Sequence, residues 1–97
     1  METIELGSTT VTPRIKELIE NNNDFAQFVF KSIHRHQSKD WGDICEDDKI
    51  QNNEAVINGS RIFSCYLVDI KDVDEEKIWI ITVDDRSYTT VLFPNEY

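Results

Sequence analysis

Two histidines followed by two aspartates are the first residues in this sequence that could do chemistry. His34, His36, Asp40 and Asp43 offer two imidazoles and two carboxylates in one short stretch, the side chains that bind divalent metals or exchange protons. Histidines at positions i and i+2 point to different sides of a helix, however, and ordinary zinc-ligand spacings are absent. We therefore predict no metal site, no cofactor and no catalytic residue in this stretch.

The Asp40–Asp43 segment, Asp-Trp-Gly-Asp, is the most distinctive local feature. Gly42 permits a backbone conformation that other residues resist, and Asp40 and Asp43 can accept hydrogen bonds from nearby main-chain amides. Trp41 has two interpretations: it fills the core and anchors the loop, or it is exposed and forms a binding surface. We predict an ordered, structural loop with Trp41 against the second helix or the sheet, and we expect Asp43 to be the capping acid.

A second polar segment, Asp84-Asp85-Arg86-Ser87, lies between two strand-like runs. Asp85 and Arg86, with the hydroxyl residues that follow them, could bind an anion or a nucleotide. Turn chemistry and an aspartate–arginine pair explain the same residues, and we favour that explanation. A serine without a base partner is not a nucleophile. Asp85 and Arg86 are therefore binding candidates only, together with the residues of the Asp40–Asp43 loop.

Three helices are predicted to position these segments. Thr12 followed by Pro13 is typical of a helix start, with a hydroxyl N-cap before proline. Asn23 or Asp24 can cap a second helix, whose apolar residues recur at spacings of three and four. Gly59 marks the end of the third. The predicted helices cover about 13–20, 24–37 and 46–57.

The remainder of the chain is predicted to be β-structure, with strands at 61–68, 77–83 and 88–93. Short loops between strands are typical of an antiparallel meander, and one face of such a sheet must pack on the helices. The run containing Trp79 is almost continuously apolar, so we predict a central strand with Trp79 buried. Residues 4–11 read as a short strand or an extended arm. The fold class is therefore α+β: one domain, 1–97, with three helices packed on a C-terminal three-stranded antiparallel meander.

The acidic charge is unevenly distributed along the 97 residues. The net charge is −9, yet residues 1–39 contain five acidic and five basic residues, so the whole excess lies after Lys39. A phosphate backbone needs a basic face, so we expect no direct nucleic-acid binding. The simplest interpretation of the net negative charge is that it keeps the protein soluble. An acidic surface could also steer the chain to a basic protein.

The cellular compartment is predicted from two features that the sequence does not contain. No apolar run approaches the roughly 18 residues of a membrane span, and the first residues have neither the basic nor the apolar region of a signal peptide. Cys45 and Cys65 are then expected to be reduced thiols. We predict a cytoplasmic protein with no membrane attachment.

Several motifs together resemble a known family. They are Leu6-Gly7 with Val11-Thr12-Pro13; Asp40–Asp43 with Asp47-Asp48 and Asn52 or Asn53; and Ile78–Thr82 with Asp84–Ser87, Thr89–Leu92 and Pro94. Over nearly its whole length the chain is similar to small bacterial proteins that are common on plasmids, phages and other mobile elements. These are often labelled "plasmid-related protein" or "type I restriction endonuclease subunit M". Lys39, where the family usually has glycine, and the long 69–76 loop depart from the pattern and affect the expected loop geometry.

The resemblance implies an association with mobile elements but implies no particular biochemical activity. The chain is too short for a methyltransferase subunit and has no Gly-rich cofactor loop or methylation motif. We predict a small acidic accessory protein that binds a protein partner and could modulate host defence, and we do not favour an enzyme. The alternatives are an antitoxin-like structural module, or a hydrolase or nuclease. The latter would need a set of polar residues to converge: His34, His36, Asp40, Asp43, Asp85 and Arg86. The partner's identity and the oligomeric state are left open.

Overall fold

The helices and strands follow one another in the order β1, α1, α2, α3, β2, β3, β4. In the computed structural model, which describes residues 3–97, the α+β class is as predicted. The bounds are β1 Ser8–Val11, α1 Pro13–Asn21, α2 Asn23–Gln37, α3 Glu46–Asn58, β2 Ile62–Leu67, β3 Lys77–Thr82 and β4 Tyr88–Leu92, followed by a 3-10 turn at Pro94–Glu96. No helix in this part of the chain is long and apolar enough to cross a membrane.

The sheet corrects the prediction of a three-stranded meander. β2, β3 and β4 are antiparallel neighbours, but a fourth strand makes the sheet mixed, with the order β1-β4-β3-β2. β1 pairs with β4 in parallel, from Ser8 opposite Tyr88 to Val11 opposite Val91. All three helices and two strands lie between these two strands in the sequence, so no local turn signal reports their pairing.

The helix ends show which capping signals were read correctly. Gly59 adopts a φ of +79° and ends α3, as expected. Thr12 precedes α1 but makes no side-chain cap; its hydroxyl donates instead to Glu96 Oε1 at 2.9 Å. The cap of α2 is one residue earlier than predicted, since Asn22 Oδ1 accepts a hydrogen bond from the amide of Phe25 at 3.0 Å. Neighbouring asparagines have equal capping propensity, so the sequence did not separate them.

The main core lies between the sheet and the first two helices. Its fully buried residues are Ile15, Phe25, Val29, Tyr66, Ile78, Ile80, Val91 and Phe93. No residue of α3 belongs to this cluster. The helix lies beside edge strand β2, where Ala55 joins Ile4, Trp41 and Ile62 in a second, smaller cluster.

Trp79 does not lie in the core, contrary to our prediction. β3 is central as expected, but its buried side chains are Ile78, Ile80 and Thr82, and Trp79 is half-buried on the opposite, outer face of the sheet. Successive side chains of a strand point to opposite faces. Because β3 is apolar on both faces, its sequence does not say which set faces the helices.

Candidate functional site

The Asp40–Asp43 loop closes the open side of strand β2. Trp41 is 4% exposed, packs edge-on to the His36 ring with centroids 5.8 Å apart, and donates from Nε1 to Asn53 Oδ1 at 3.0 Å. Gly42, at a φ of +75°, forms a parallel bridge with Cys65. The burial of Trp41 favours the structural interpretation of this loop over an exposed recognition loop.

The outward main-chain groups of β2 are bonded in turn by α3 and by this loop. Asn52 accepts from the amide of Phe63 at 3.1 Å and donates to its carbonyl at 2.6 Å. Cys65 donates to the Trp41 carbonyl and accepts from the Asp43 amide at 2.7 Å. Asp43 also accepts from the next outward amide, that of Leu67, through Oδ2 at 3.1 Å. This edge therefore offers no free ladder to another chain.

Asp40 holds the start of the loop. Its carboxylate accepts two bonds from the Arg35 guanidinium, at 2.8 and 3.2 Å, and a third from the amide of Gly42. The hydrogen bond from Arg35 is the main reason that the pKa of Asp40 is lowered. The Tyr66 hydroxyl donates to the Asp40 carbonyl at 2.7 Å. Both aspartates of the loop thus accept bonds that fix its path.

The Asp84–Ser87 segment is a tight turn whose arginine points back into the protein. Arg86 donates to the carbonyls of Ala55 and Ser60 at 2.8 and 2.7 Å, and so caps the end of α3. Asp85 accepts from the amide of Ser87 at 2.9 Å. Hydrogen bonds from Ser87 lower the pKa of Asp85. Asp85 and Arg86 are not paired with each other in the described residues, which corrects the expected ion pair, and the guanidinium is occupied by carbonyls.

A buried chain of hydroxyl groups and one imidazole crosses the core, and sequence analysis missed it. His36 Nδ1 lies 2.6 Å from Ser64 Oγ, and its Nε2 lies 2.9 Å from Thr82 Oγ1. Thr82 Oγ1 lies 2.7 Å from Thr89 Oγ1, which donates to the Leu6 carbonyl at 2.7 Å. The only signal in the sequence was the presence of Ser64, Thr82 and Thr89 among apolar strand residues.

The direction of these bonds follows from their last acceptor. A carbonyl can only accept, so Thr89 uses its proton on Leu6 and must accept from Thr82. Thr82 must then accept from His36 Nε2–H. Burial, with a smaller contribution from the charge of Arg86, lowers the pKa of His36 to about 4. The imidazole is therefore neutral at pH 7, and its unprotonated Nδ1 accepts the Ser64 proton. Ser64 and His36 are adjacent, as in a nucleophile–base pair, but both are fully buried, so we assign them to the core.

The residues of the hydrolase interpretation do not share one pocket. His36 is buried, whereas His34 is exposed on the same helix. Asp40 is bonded to Arg35, and Arg86 is bonded to the end of α3. Within residues 3–97, no three His, Cys, Asp or Glu side chains are grouped closely enough to hold a metal ion. The geometry thus gives this interpretation no common site.

The outer face of the sheet carries an aromatic surface, formed by Arg61, Phe63, Trp79 and Tyr97. Phe63 and Trp79 meet edge to face with centroids 5.1 Å apart, and Trp79 meets Tyr97 in the same way at 5.7 Å. Arg61 donates to the Tyr97 hydroxyl at 3.1 Å. With Asp48 of α3 these side chains line a surface cleft of about 310 Å³. The helices of the main core lie on the other face of the sheet.

Acidic residues border this aromatic surface on more than one side. Asp48 lines the cleft itself, and Asp84 lines a second cleft that also contains Arg61. Leu67, which alternates onto the same face from β2, is 57% exposed. The surface thus has an apolar centre and an acidic border, which the sequence did not predict because Trp79 had been assigned to the core.

Comparisons of the chain with protein-family models, with curated proteins and with solved structures gave no match. The function is therefore argued from the geometry of these surfaces.

Proposed function

We propose that this chain is a small accessory protein that binds a basic protein partner through its aromatic surface. The observation that carries this proposal is the cluster of Phe63, Trp79 and Tyr97 on the outer face of the sheet, opposite the face that α1 and α2 cover. Aromatic side chains that are rigidly held by one another bind with little loss of conformational entropy. They are also the residues that dominate the energy of protein interfaces.

The charge around the aromatic surface specifies the partner's chemistry. Protein interfaces commonly have an apolar centre and a polar border, and here the border contains Asp48 and Asp84. Lysine and arginine side chains of a partner could pair with these carboxylates and lie over the accessible part of the aromatic cluster, of which Tyr97 is the most exposed ring. The net charge of −9, all of it after Lys39, would also accelerate encounter with a basic protein.

The biological setting belongs to the same proposal. The resemblance to proteins carried by plasmids and phages supports an accessory role for a mobile element, with a host protein as the partner and modulation of host defence as its effect. The bonded state of the loop aspartates and of Arg86 supports binding rather than catalysis, because these groups are occupied within the fold.

Affinity purification from the native host tests the proposal, with Tyr97→Ala and Trp79→Ala as the informative variants. Tyr97 is 75% exposed, so its truncation should leave the core intact while removing one side of the cleft. Phe30→Ala is the matched control, because Phe30 is also an exposed aromatic residue, at 62%, and lies on α2 rather than on the sheet.

The captured protein is then purified and its affinity is measured at increasing salt. We expect a basic protein whose binding falls at least tenfold with Tyr97→Ala or Trp79→Ala, stays unchanged with Phe30→Ala, and weakens as salt rises. A partner that binds all four proteins equally, or an acidic partner, would overturn the assignment of this surface.

A further inference from the structure

The two edges of the sheet differ in whether their outward main-chain groups are hydrogen-bonded. The β2 edge is closed by Asn52 and the Asp40–Asp43 loop, as described above. Strand β1 forms the other edge, because β4 is its neighbour in the sheet order. Ser8, Thr9 and Thr10 are exposed and Val11 is half-buried. An exposed edge strand is a template for pairing with another chain.

The outward main-chain groups of β1 can be identified from its bonds to β4. The amide of Ser8 donates to the Ser87 carbonyl at 3.0 Å, and the amide of Thr12 donates to the Val91 carbonyl at 3.1 Å. Residues of a parallel strand alternate between its two sides. Thr9 and Val11 therefore point their N–H and C=O groups away from the sheet. Among residues 3–97, no main-chain bond from a turn or loop reaches either of them.

Apart from its short length, the sequence of β1 lacks the usual protection of an edge. Lysine, other charged residues and proline commonly prevent edge pairing. The strand Ser-Thr-Thr-Val contains none of them. Threonine and valine have high β-propensity. The β2 edge is covered by the Asn52 side chain and the Asp40–Asp43 loop, whereas the outward main-chain groups of β1 are left exposed. The β1 edge is therefore suited to pairing with another strand.

We propose that β1 pairs with β1 of a second copy of this chain, antiparallel and about a two-fold axis at Thr10. This register places Thr9 opposite Val11 of the second copy, and Val11 opposite its Thr9. In antiparallel pairing, opposed outward residues exchange both of their hydrogen bonds. All four outward groups of each strand are then bonded, and the two Thr10 residues form the close, non-hydrogen-bonded pair at the centre. Threonine pairs are favourable at such positions.

The charge distribution favours a second copy over the basic partner at this edge. Residues 1–39, which contain β1, have no net charge, whereas the remaining residues carry the whole −9. Two copies that meet at β1 therefore pair through strands that carry no charged side chain. A basic partner would instead be attracted to the sheet's outer face and α3. Because a four-residue edge buries far less than the roughly 1,200 Å² of a stable interface, we expect a reversible, concentration-dependent dimer.

Sedimentation velocity over a range of concentrations tests the dimer, with Thr10→Lys and Thr90→Lys as a matched pair. Thr10 and Thr90 share one hydroxyl contact of 3.3 Å, so either variant loses it and adds one positive charge to the same face. Thr10→Lys also loses the 3.4 Å hydrogen bond from the Thr10 hydroxyl to the Thr89 carbonyl. Only Thr10→Lys places two like charges across the two-fold axis. We expect at least a tenfold rise in the dimer dissociation constant for Thr10→Lys and no comparable rise for Thr90→Lys. Equal dissociation constants for the two variants, or a wild-type protein that stays monomeric at millimolar concentration, would refute the pairing.

Cross-linking provides a measurement that does not depend on tolerance of lysine. The Cα atoms of a non-hydrogen-bonded antiparallel pair are about 4.5 Å apart, which is within the range that a disulfide spans. In a Cys45→Ser background, which removes the exposed cysteine, Thr10→Cys should form a disulfide dimer under mild oxidation. Thr90→Cys is the control and should stay monomeric. Cross-linking of Thr90→Cys as fast as Thr10→Cys would show that contact between copies is not made at β1. This result is independent of the partner assay, so either proposal can fail alone.

Discussion

Acid should destabilise this protein mainly through His36. Its folded-state pKa of about 4 lies below the ordinary value of 6.5, because burial disfavours the imidazolium. The unfolded chain therefore takes up a proton below pH 6.5, while the native protein does not do so until about pH 4. The stability that depends on neutral His36 is present above pH 6.5, and it is lost as the pH falls through this interval.

The magnitude follows from the two pKa values. Each pH unit between them corresponds to about 1.4 kcal/mol, so the free energy of unfolding should fall by ~2 kcal/mol at pH 5 and by ~3 kcal/mol at pH 4. A domain of this size has a total stability of roughly 5–15 kcal/mol, so this loss is a substantial part of it. Protonation would also force Nδ1 to become a donor, although it accepts the proton of Ser64 at 2.6 Å.

Urea denaturation at pH 7.5, 5 and 4 measures the effect, followed by circular dichroism. His36→Gln removes the titrating group and should flatten the dependence over this range, whatever its cost at pH 7.5. His34→Gln is the control on the same helix, because His34 is exposed, and it should keep the full wild-type dependence. Acid protonation of carboxylates contributes equally to all three proteins. A His36→Gln protein that loses as much stability between pH 7.5 and 5 as the wild type would refute the neutral, buried imidazole.

The remaining predictions concern the loop and the turn. Gly42→Ala should lower the free energy of unfolding, measured by urea denaturation, by at least ~2 kcal/mol more than Gly59→Ala does. Both glycines have a positive φ, which strains alanine, but a Cβ on Gly42 also meets the Cys65 carbonyl, whereas one on Gly59 meets nothing within 4 Å. Overpacking therefore adds to the cost at Gly42 alone. Trp41→Ala should cost roughly 3–5 kcal/mol and lower the melting temperature; wild-type melting with loss of partner capture would instead make the loop a recognition site. Arg86→Ala should cost ~1–3 kcal/mol, because the Ser60 carbonyl loses its guanidinium donor and the Ala55 carbonyl keeps only the Gly59 amide, and a change within error would show that water replaces the guanidinium.

Patterns with a short range were read from the sequence with good accuracy. The predicted helix 46–57 differs from α3 by one residue, because Gly59 supplies a left-handed end that any reader of the sequence can locate. The strands β2, β3 and β4 lie within their predicted ranges, since each is a run of branched and aromatic residues between turn signals. Asp40 and Asp43 accept main-chain amides as the loop chemistry suggested.

Patterns that depend on a distant partner were not readable. The parallel pairing of β1 with β4 joins the two ends of the chain, and nothing near Ser8–Val11 encodes it. The face occupied by Trp79 was assigned wrongly because both faces of β3 are apolar. The bonds of His36 to two different strands required knowledge of where those strands lie. In each case the local sequence is compatible with two arrangements, and tertiary packing selects one of them.

Salt should act in opposite directions on the two proposed interfaces, because the same acidic charge attracts one partner and repels the other. Binding of a basic protein to the aromatic surface gains from that charge and should weaken as salt screens it. Two copies joined at β1 each carry a net charge of −9, so their mutual repulsion opposes the dimer even though β1 itself is neutral. Screening should then strengthen the dimer between 50 and 500 mM salt, over which the screening length falls from roughly 14 to 4 Å. A dimer that weakens with salt would have to be held by charge pairs between the copies, and pairing through the uncharged Ser8–Val11 edge would be wrong.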